Sequence, residues 1–272
     1  MTGPDRKEIN MDLNLKDKVV GITGGSEGIG KATAMAFAQE GCKIAICSRS
    51  EAKLAAAKEE FKEVGYDIYT ESVDVGNADQ LYGFVDHIVE HYGKIDIWVN
   101  NAAMTIVKSI LELSLEEWDK VMKTNLDSYF IGTQASARYM KENGGGIIVN
   151  MGSFGGILPP MYRSAYCTSK RAIEWLTKCS AAELAPFGIR VNACAPGTIN
   201  TAMQAAAGRT AADVEKVAKN FALHRPGEAD EVAKVVLFLA SHMSSYCAGI
   251  TVECSGGKFI SQDCNAAWEQ KR

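Results

Sequence analysis

The chain has no run of about eighteen uncharged apolar residues, the length a helix needs to cross a bilayer. Its first eighteen residues are polar and carry both signs, so they lack the apolar core of a secretory signal. No block of like charge occurs: 29 basic residues stand against 33 acidic ones, for a net charge of −4. That balance offers no basic stripe to nucleic acid and no charged interaction tail. None of the eight cysteines (Cys42, Cys47, Cys167, Cys179, Cys194, Cys247, Cys254, Cys264) forms a C-x-x-C pair, and most lie inside apolar runs, as buried small hydrophobes do. A disulfide framework or a zinc site is therefore not expected. His87 and His91 have helical i,i+4 spacing, but Glu90 is misplaced for H-E-x-x-H and no third ligand accompanies them. A solvated helix face is expected there, with no metal. There is no internal repeat and no low-complexity tract. Together these absences predict a soluble cytoplasmic protein with neither a membrane nor a nucleic-acid partner.

What is present is an alternation. Strand-like runs at 18–23, 43–48, 67–73, 95–99, 146–151, 190–193 and 250–253 are separated by helical patterns at 28–40, 51–64, 79–92, 114–141, 165–184 and 230–240. Ser114, followed by Glu117, reads as the capping box of the long 114–141 helix. Repeated βα units of this size predict an α/β fold: a single Rossmann-type, doubly wound parallel sheet of about seven strands with helices on both faces. No break in composition divides the 272 residues, so one domain is expected, with its core at about 15–257. The segment 198–225 interrupts the rhythm and is expected to form a lid over a site. A tail follows at 258–272.

Two stretches carry chemistry. The run 19–23 feeds Gly24, Gly25, Ser26, Glu27, Gly28, Ile29 and Gly30. A strand, a glycine-rich turn and a helix N-terminus in series make a phosphate cradle, because backbone N–H groups and the helix dipole both face the anion. Tyr166 and Lys170 are four residues apart, so on a helix they share a face. A phenol near pKa 10 becomes a usable acid or base when a cation beside it favours the phenolate. Ser153 lies thirteen residues before Tyr166, just past a strand end, where open parallel sheets bind their ligands.

The glycine spacing is Gly24-x-x-x-Gly28-x-Gly30, not G-x-G-x-x-G. Together with Asn100-Asn101-Ala102-Ala103, Asn125, Ser153, Tyr166-x-x-x-Lys170 and Pro196-Gly197, it resembles the short-chain dehydrogenase/reductase family over nearly the whole chain, about 15–257. The resemblance implies a catalytic set of Asn125, Ser153, Tyr166 and Lys170. It implies that the loop 23–30 holds the cofactor phosphates, that Asp74 and Val75 flank the adenine, and that Asn101 and Ala102 approach the ribose. It also implies that Pro196, Gly197, Ile199 and Thr201 meet the nicotinamide and phosphate, and that Lys170 contacts the ribose. Ala103 departs from the family's usual glycine. The end of the second strand is Ser48-Arg49, where relatives using NAD carry an aspartate. Arg49 could pair with a 2′-phosphate, which favours NADP, with NAD the alternative. Glu27 stands where many NADP-using relatives carry a second basic residue.

The expected reaction is interconversion of a secondary alcohol and a ketone. Phe154 to Tyr162 follows Ser153 as an apolar stretch, and Met104, Met203, Phe221 and Leu223 are expected to add to the same wall. Such a wall suits a bulky apolar substrate, steroid-like or ketoacyl. A non-catalytic dinucleotide sensor is the reading from another class. The resemblance also implies a homodimer or homotetramer packed through 114–141, 165–184 and 250–253. The tail, with Phe259, Ile260 and Trp268, is a candidate cover for a neighbouring subunit.

Overall fold

The computed structural model describes residues 12–258, together with 260, 261, 264, 268 and 269. Phe259 therefore lies outside the described residues. In chain order the regular elements are β1 (Val19–Thr23), α1 (Gly28–Gln39), β2 (Lys43–Ser48), α2 (Glu51–Glu63), β3 (Ile68–Ser72), α3 (Ala78–Tyr92), β4 (Ile97–Asn100), α4 (Leu115–Met122) and α5 (Ser128–Glu142). They continue with β5 (Gly146–Met151), α6 (Ser164–Leu184), β6 (Ile189–Pro196), α7 (Ala202–Ala206), α8 (Ala211–Ala218), α9 (Ala229–Ala240) and β7 (Thr251–Cys254).

The strands form one parallel sheet in the order β3-β2-β1-β4-β5-β6-β7. Side chains alternate across it with the period of two that a pleated strand imposes. Val20, Ile22, Ile44, Ile46, Ile97 and Val99 pack on one face with Phe37, Phe61 and Val236 from α1, α2 and α9. Val19, Ala45, Cys47, Trp98 and Ile148 pack on the other with Phe84, Ile88, Ala135 and Met140 from α3 and α5. Each fully buried Phe, Ile or Val stabilises the fold by about 1.5–3 kcal/mol relative to exposure. Both faces being covered explains why the strands read as continuous apolar runs.

The chain direction across the sheet reverses at β1, which lies between β2 and β4. In such sheets the crevice beyond the strands' carboxyl ends opens at this reversal. The ends of β1, β4, β5 and β6 put Thr23, Asn100, Met151 and Pro196 there.

Local chemistry sets the helix starts. Ser50 accepts from the Lys53 amide at 3.3 Å and Asn77 from the Gln80 amide at 3.2 Å, each satisfying a helix N–H with no partner of its own. The Ser114–Glu117 capping box is complete, with both bonds at 3.1 Å.

The expected single helix over 114–141 is corrected. A π turn, Lys123–Asp127, separates α4 from α5. Such a turn inserts a residue into the helical register, and at its centre Asn125 is fully buried. The expected strand 190–193 is longer, because Ile189–Pro196 pairs with both β5 and β7. The segment 198–225 contains α7 and α8; Thr210 and Asp213 form the capping box that starts the latter.

His87 and His91 diverge. His87 Nδ1 lies 3.1 Å from the Glu71 carboxylate, whereas the His91 ring packs against Tyr69 and Tyr92. Cys47, Cys167 and Cys194 are buried, but Cys179 is exposed on α6, contrary to the general expectation for the cysteines. Among the described residues no helix is long and apolar enough to cross a membrane.

Candidate active site

The turn after β1 is shaped by close approach. Gly24 has φ +66°, a left-handed conformation that side chains with Cβ rarely adopt. A Cβ on Gly30 would lie 2.2 Å from the Gly24 carbonyl oxygen, so only glycine lets α1 start so close to the turn. The turn is clamped from β4. The Asn101 side chain donates to the carbonyls of Thr23 (2.8 Å) and Gly24 (3.1 Å). The amides of Asn101 and Ala102 donate to Thr23 Oγ1 at 2.9 and 3.0 Å. A backbone held this way presents a cradle that Cβ atoms would otherwise fill, at the positive end of α1, and it fits a pyrophosphate.

The cradle opens into a cleft of about 360 Å³. Apart from Thr23 and Gly25 of the loop 23–30, every residue expected to touch the cofactor lines it. Gly24, Ser26, Glu27, Gly28, Ile29 and Gly30 form its floor. Ser48, Arg49, Asp74 and Val75 line one end, and Asn101, Ala102, Pro196, Gly197, Ile199 and Thr201 the middle. Ala103, the departure from the family pattern, lines it as well. Arg49 is exposed and, among the described residues, makes no ion pair. Glu27 is tied to Lys53 at 2.8 Å, which offsets its charge next to the phosphate cradle.

Ser153, Tyr166 and Lys170 meet at the other end of the same cleft. Ser153 follows β5 and accepts from the Gly155 amide at 3.0 Å, which leaves its hydroxyl hydrogen available to donate. Burial pushes the Tyr166 phenol up from its ordinary value; the hydrogen bond with Ser153 pulls it back, Cys167 raises it slightly and Arg163 lowers it. Lys170 is 2% exposed. Its Nζ lies 5.9 Å from the centre of the Tyr166 ring, so the two share a helix face as the spacing predicts.

Lys170 also has hydrogen-bond partners outside α6. The Lys170 amine donates to the Met151 carbonyl at 2.7 Å and the Tyr129 hydroxyl at 3.1 Å. Burial brings its pKa down to about 7. Ser153 and Arg163 lower the phenol.

Asn125 does not line the cleft. Its side chain bonds both polar backbone atoms of Met104, at 2.8 and 2.9 Å, and Ser169 Oγ at 3.1 Å. It fastens the segment after β4 to α6.

The expected apolar wall is corrected in part. Phe154, Pro160 and Met203 line the cleft. Met104, Phe221 and Leu223 do not; Phe221 is buried at 1% exposure, and Leu223 lines a neighbouring cavity with Thr198 and Cys254. Ile157, Leu158, Met161 and Tyr162 are exposed. The wall instead includes Arg163, Gln204, Arg209 and Lys258. Of these only Arg163 left a trace in the sequence, as the single charged residue between Ser153 and Tyr166. Arg209 and Lys258 come from distant segments, and no local signal marks them.

A glycine-bent strand-to-helix turn at the reversal of a parallel sheet, sharing its cleft with a serine, a tyrosine and a buried lysine, defines a dinucleotide-binding oxidoreductase. Residues 24–258 match the sequence profile of a family described as enoyl-(acyl carrier protein) reductase. The chain is similar to 3-oxoacyl-[acyl-carrier-protein] reductase FabG of Thermotoga maritima, 38% identical over 248 residues that cover 91% of this chain and 100% of the relative. It is similar to levodione reductase of Leifsonia aquatica, 36% identical over 251 residues, 89% of this chain and 94% of the relative. A crystal structure of a short-chain type dehydrogenase/reductase from Mycobacterium marinum superposes with a TM-score of 0.87 at 36% identity, covering 92% of this chain and 98% of that one. The chain belongs to the short-chain dehydrogenase/reductase family, whose members use a nicotinamide dinucleotide.

Proposed function

We propose that the protein is an NADP(H)-dependent oxidoreductase that interconverts a secondary alcohol and a ketone. The observation that carries this reading is the meeting of Ser153, Tyr166 and Lys170 in one cleft with the phosphate cradle. When bound, the nicotinamide supplies the hydride in reduction and accepts it in oxidation. The chain's task is to place the substrate and manage one proton. Tyr166 gives that proton to the carbonyl oxygen in reduction and removes it from the alcohol in oxidation. A phenol held up by burial is protonated near neutrality, which suits the reductive direction. Ser153 donates to the same oxygen and stabilises the charge that develops on it.

Lys170 contacts the ribose and is the buried group behind Tyr166 that can change protonation near pH 7. Asn125 acts as a positioning residue, because its amide is committed to Met104 and Ser169. Arg49 pairs with the 2′-phosphate. The absence of an ion pair to Arg49 among the described residues and the Lys53 contact to Glu27 both support NADP over NAD.

The substrate's apolar body packs on Phe154, Pro160 and Met203. The chain works as one domain, with 198–225 as a lid. Self-association is supported by Phe130 on α5 and Trp175 on α6, 50% and 59% exposed respectively, because apolar side chains this open gain from burial against a second copy. The test is consumption of NADPH and of NADH over a panel of ketones. Turnover with NADPH preferred is expected, and no turnover with either cofactor across the panel would overturn the reading.

A further inference from the structure

The reaction end of the cleft carries positive charge that the proton chemistry does not use. Arg163 immediately precedes α6, three residues before Tyr166; Arg209 lies between α7 and α8; Lys258 follows β7. All three line the cleft that holds Ser153 and Tyr166. They are close enough to act on one another. Burial and then repulsion from Arg209 lower Arg163, while burial, Arg209 and Arg163 lower Lys258 to about 8. Lys258 is held over the Phe154 and Phe221 rings, 5.4 and 5.3 Å from their centres.

Among the described residues, no acid lines this end. The two acids that line the cleft are Glu27, tied to Lys53, and Asp74, which follows β3 and accepts from the Gly76 amide. Neither Arg163 nor Arg209 makes an ion pair among the described residues. Asp213 feels Arg209 only weakly, because its carboxylate caps α8 through Thr210. Arg209 instead meets the neutral Gln204 Oε1 at 3.3 Å. Half-buried Arg163 and Arg209, converging from two chain segments, repel one another until an anion arrives, and a guanidinium fork suits carboxylate and phosphate alike.

We propose that Arg163 and Arg209, with Lys258 beside them, form an anion subsite, so that the substrate is a ketone or alcohol bearing a carboxylate or phosphate group. This rests on the oxidoreductase reading above and adds a polar end to the substrate's apolar body.

The test compares charged and neutral partners of one ketone: an oxo acid against its methyl ester, and dihydroxyacetone phosphate against dihydroxyacetone. Wild type should prefer the charged member of at least one pair, and the preferred pair identifies the anion. In the R163Q/R209Q double variant, the charged-over-neutral ratio of kcat/KM should fall about 10–100-fold, through KM. The R163K/R209K variant should retain most of that ratio. A wild-type preference for the neutral partner in both pairs would overturn the proposal. So would a ratio unchanged in the glutamine variant, a lysine variant as poor as the glutamine one, or an equal loss of NADPH affinity, which would assign these cations to the cofactor.

If wild type turns over none of the ketones, the oxidoreductase reading fails, and titration calorimetry decides the subsite alone. Succinate or inorganic phosphate should bind the NADP complex of wild type and not that of the glutamine variant. No binding to wild type, or equal binding to both proteins, would overturn the subsite.

Discussion

Replacing Lys170 with methionine should flatten the rise in stability of the cofactor-free protein with pH. The amine is 2% exposed and, among the described residues, makes no ion pair; burial alone lowers its pKa from 10.5 to about 7. In the unfolded chain the lysine titrates near its ordinary value of about 10.4. Between pH 7 and 10.4 the unfolded state therefore holds a proton that the folded state has released. Stability rises with pH wherever the unfolded state binds more protons. The penalty for burying the ammonium is thus full below pH 7, relieved as pH climbs through that value, and gone above about 10.4. Integrated from pH 7 to 9, the gain is about 2 kcal/mol.

Denaturant melts of wild type and K170M at several pH values give this number as a difference of differences. The comparison cancels the opposing effect of groups with raised pKa values away from the amine, such as Cys47 and Cys194. Wild type should gain about 2 kcal/mol over K170M between pH 7 and 9. Parallel pH profiles would mean that the lysine stays charged in the fold, and the argument from burial would be refuted.

Arg49→Ala should weaken NADPH roughly tenfold in titration calorimetry and leave NADH nearly unchanged, because a charge-assisted contact to the 2′-phosphate is lost. Equal weakening of both cofactors would contradict the assignment of NADP. Asn125→Ala strips the half-buried polar backbone atoms of Met104 of their partner and should cost about 1–3 kcal/mol in a denaturant melt. A larger fall in kcat than in NADPH affinity is also expected from the loosened segment after β4, and a variant with wild-type stability and kcat would refute that positioning role.

Much of the architecture was legible because strand and helix signals repeat at βα spacing and inner strands such as β1 and β4 are buried on both faces. The glycine turn was legible because Gly24 holds a positive φ that favours glycine and Gly30 has no room for a Cβ. The π turn at Lys123–Asp127 was not, since one inserted residue barely disturbs an apolar pattern read over a window of a dozen. Nor could α7 and α8 be separated from an alanine-rich loop when each spans eight residues or fewer. The spacing of Tyr166 and Lys170 fixed their shared face, but not where the amine points. The Met151 carbonyl and Tyr129 hydroxyl that hold it come from β5 and α5, on other stretches of chain. The mixed wall was hidden for the same reason: Arg163, Arg209 and Lys258 converge only through the fold, while Phe221 and Leu223 turn elsewhere.

The central claim is that the Tyr166 hydroxyl carries the proton. The direct measurement is single-turnover reduction of an accepted ketone by Tyr166→Phe alongside its NADPH dissociation constant. The account predicts that turnover falls by about three orders of magnitude or more while NADPH affinity stays within about threefold. A phenylalanine variant that reduces the ketone at a tenth of the wild-type rate or faster would contradict it.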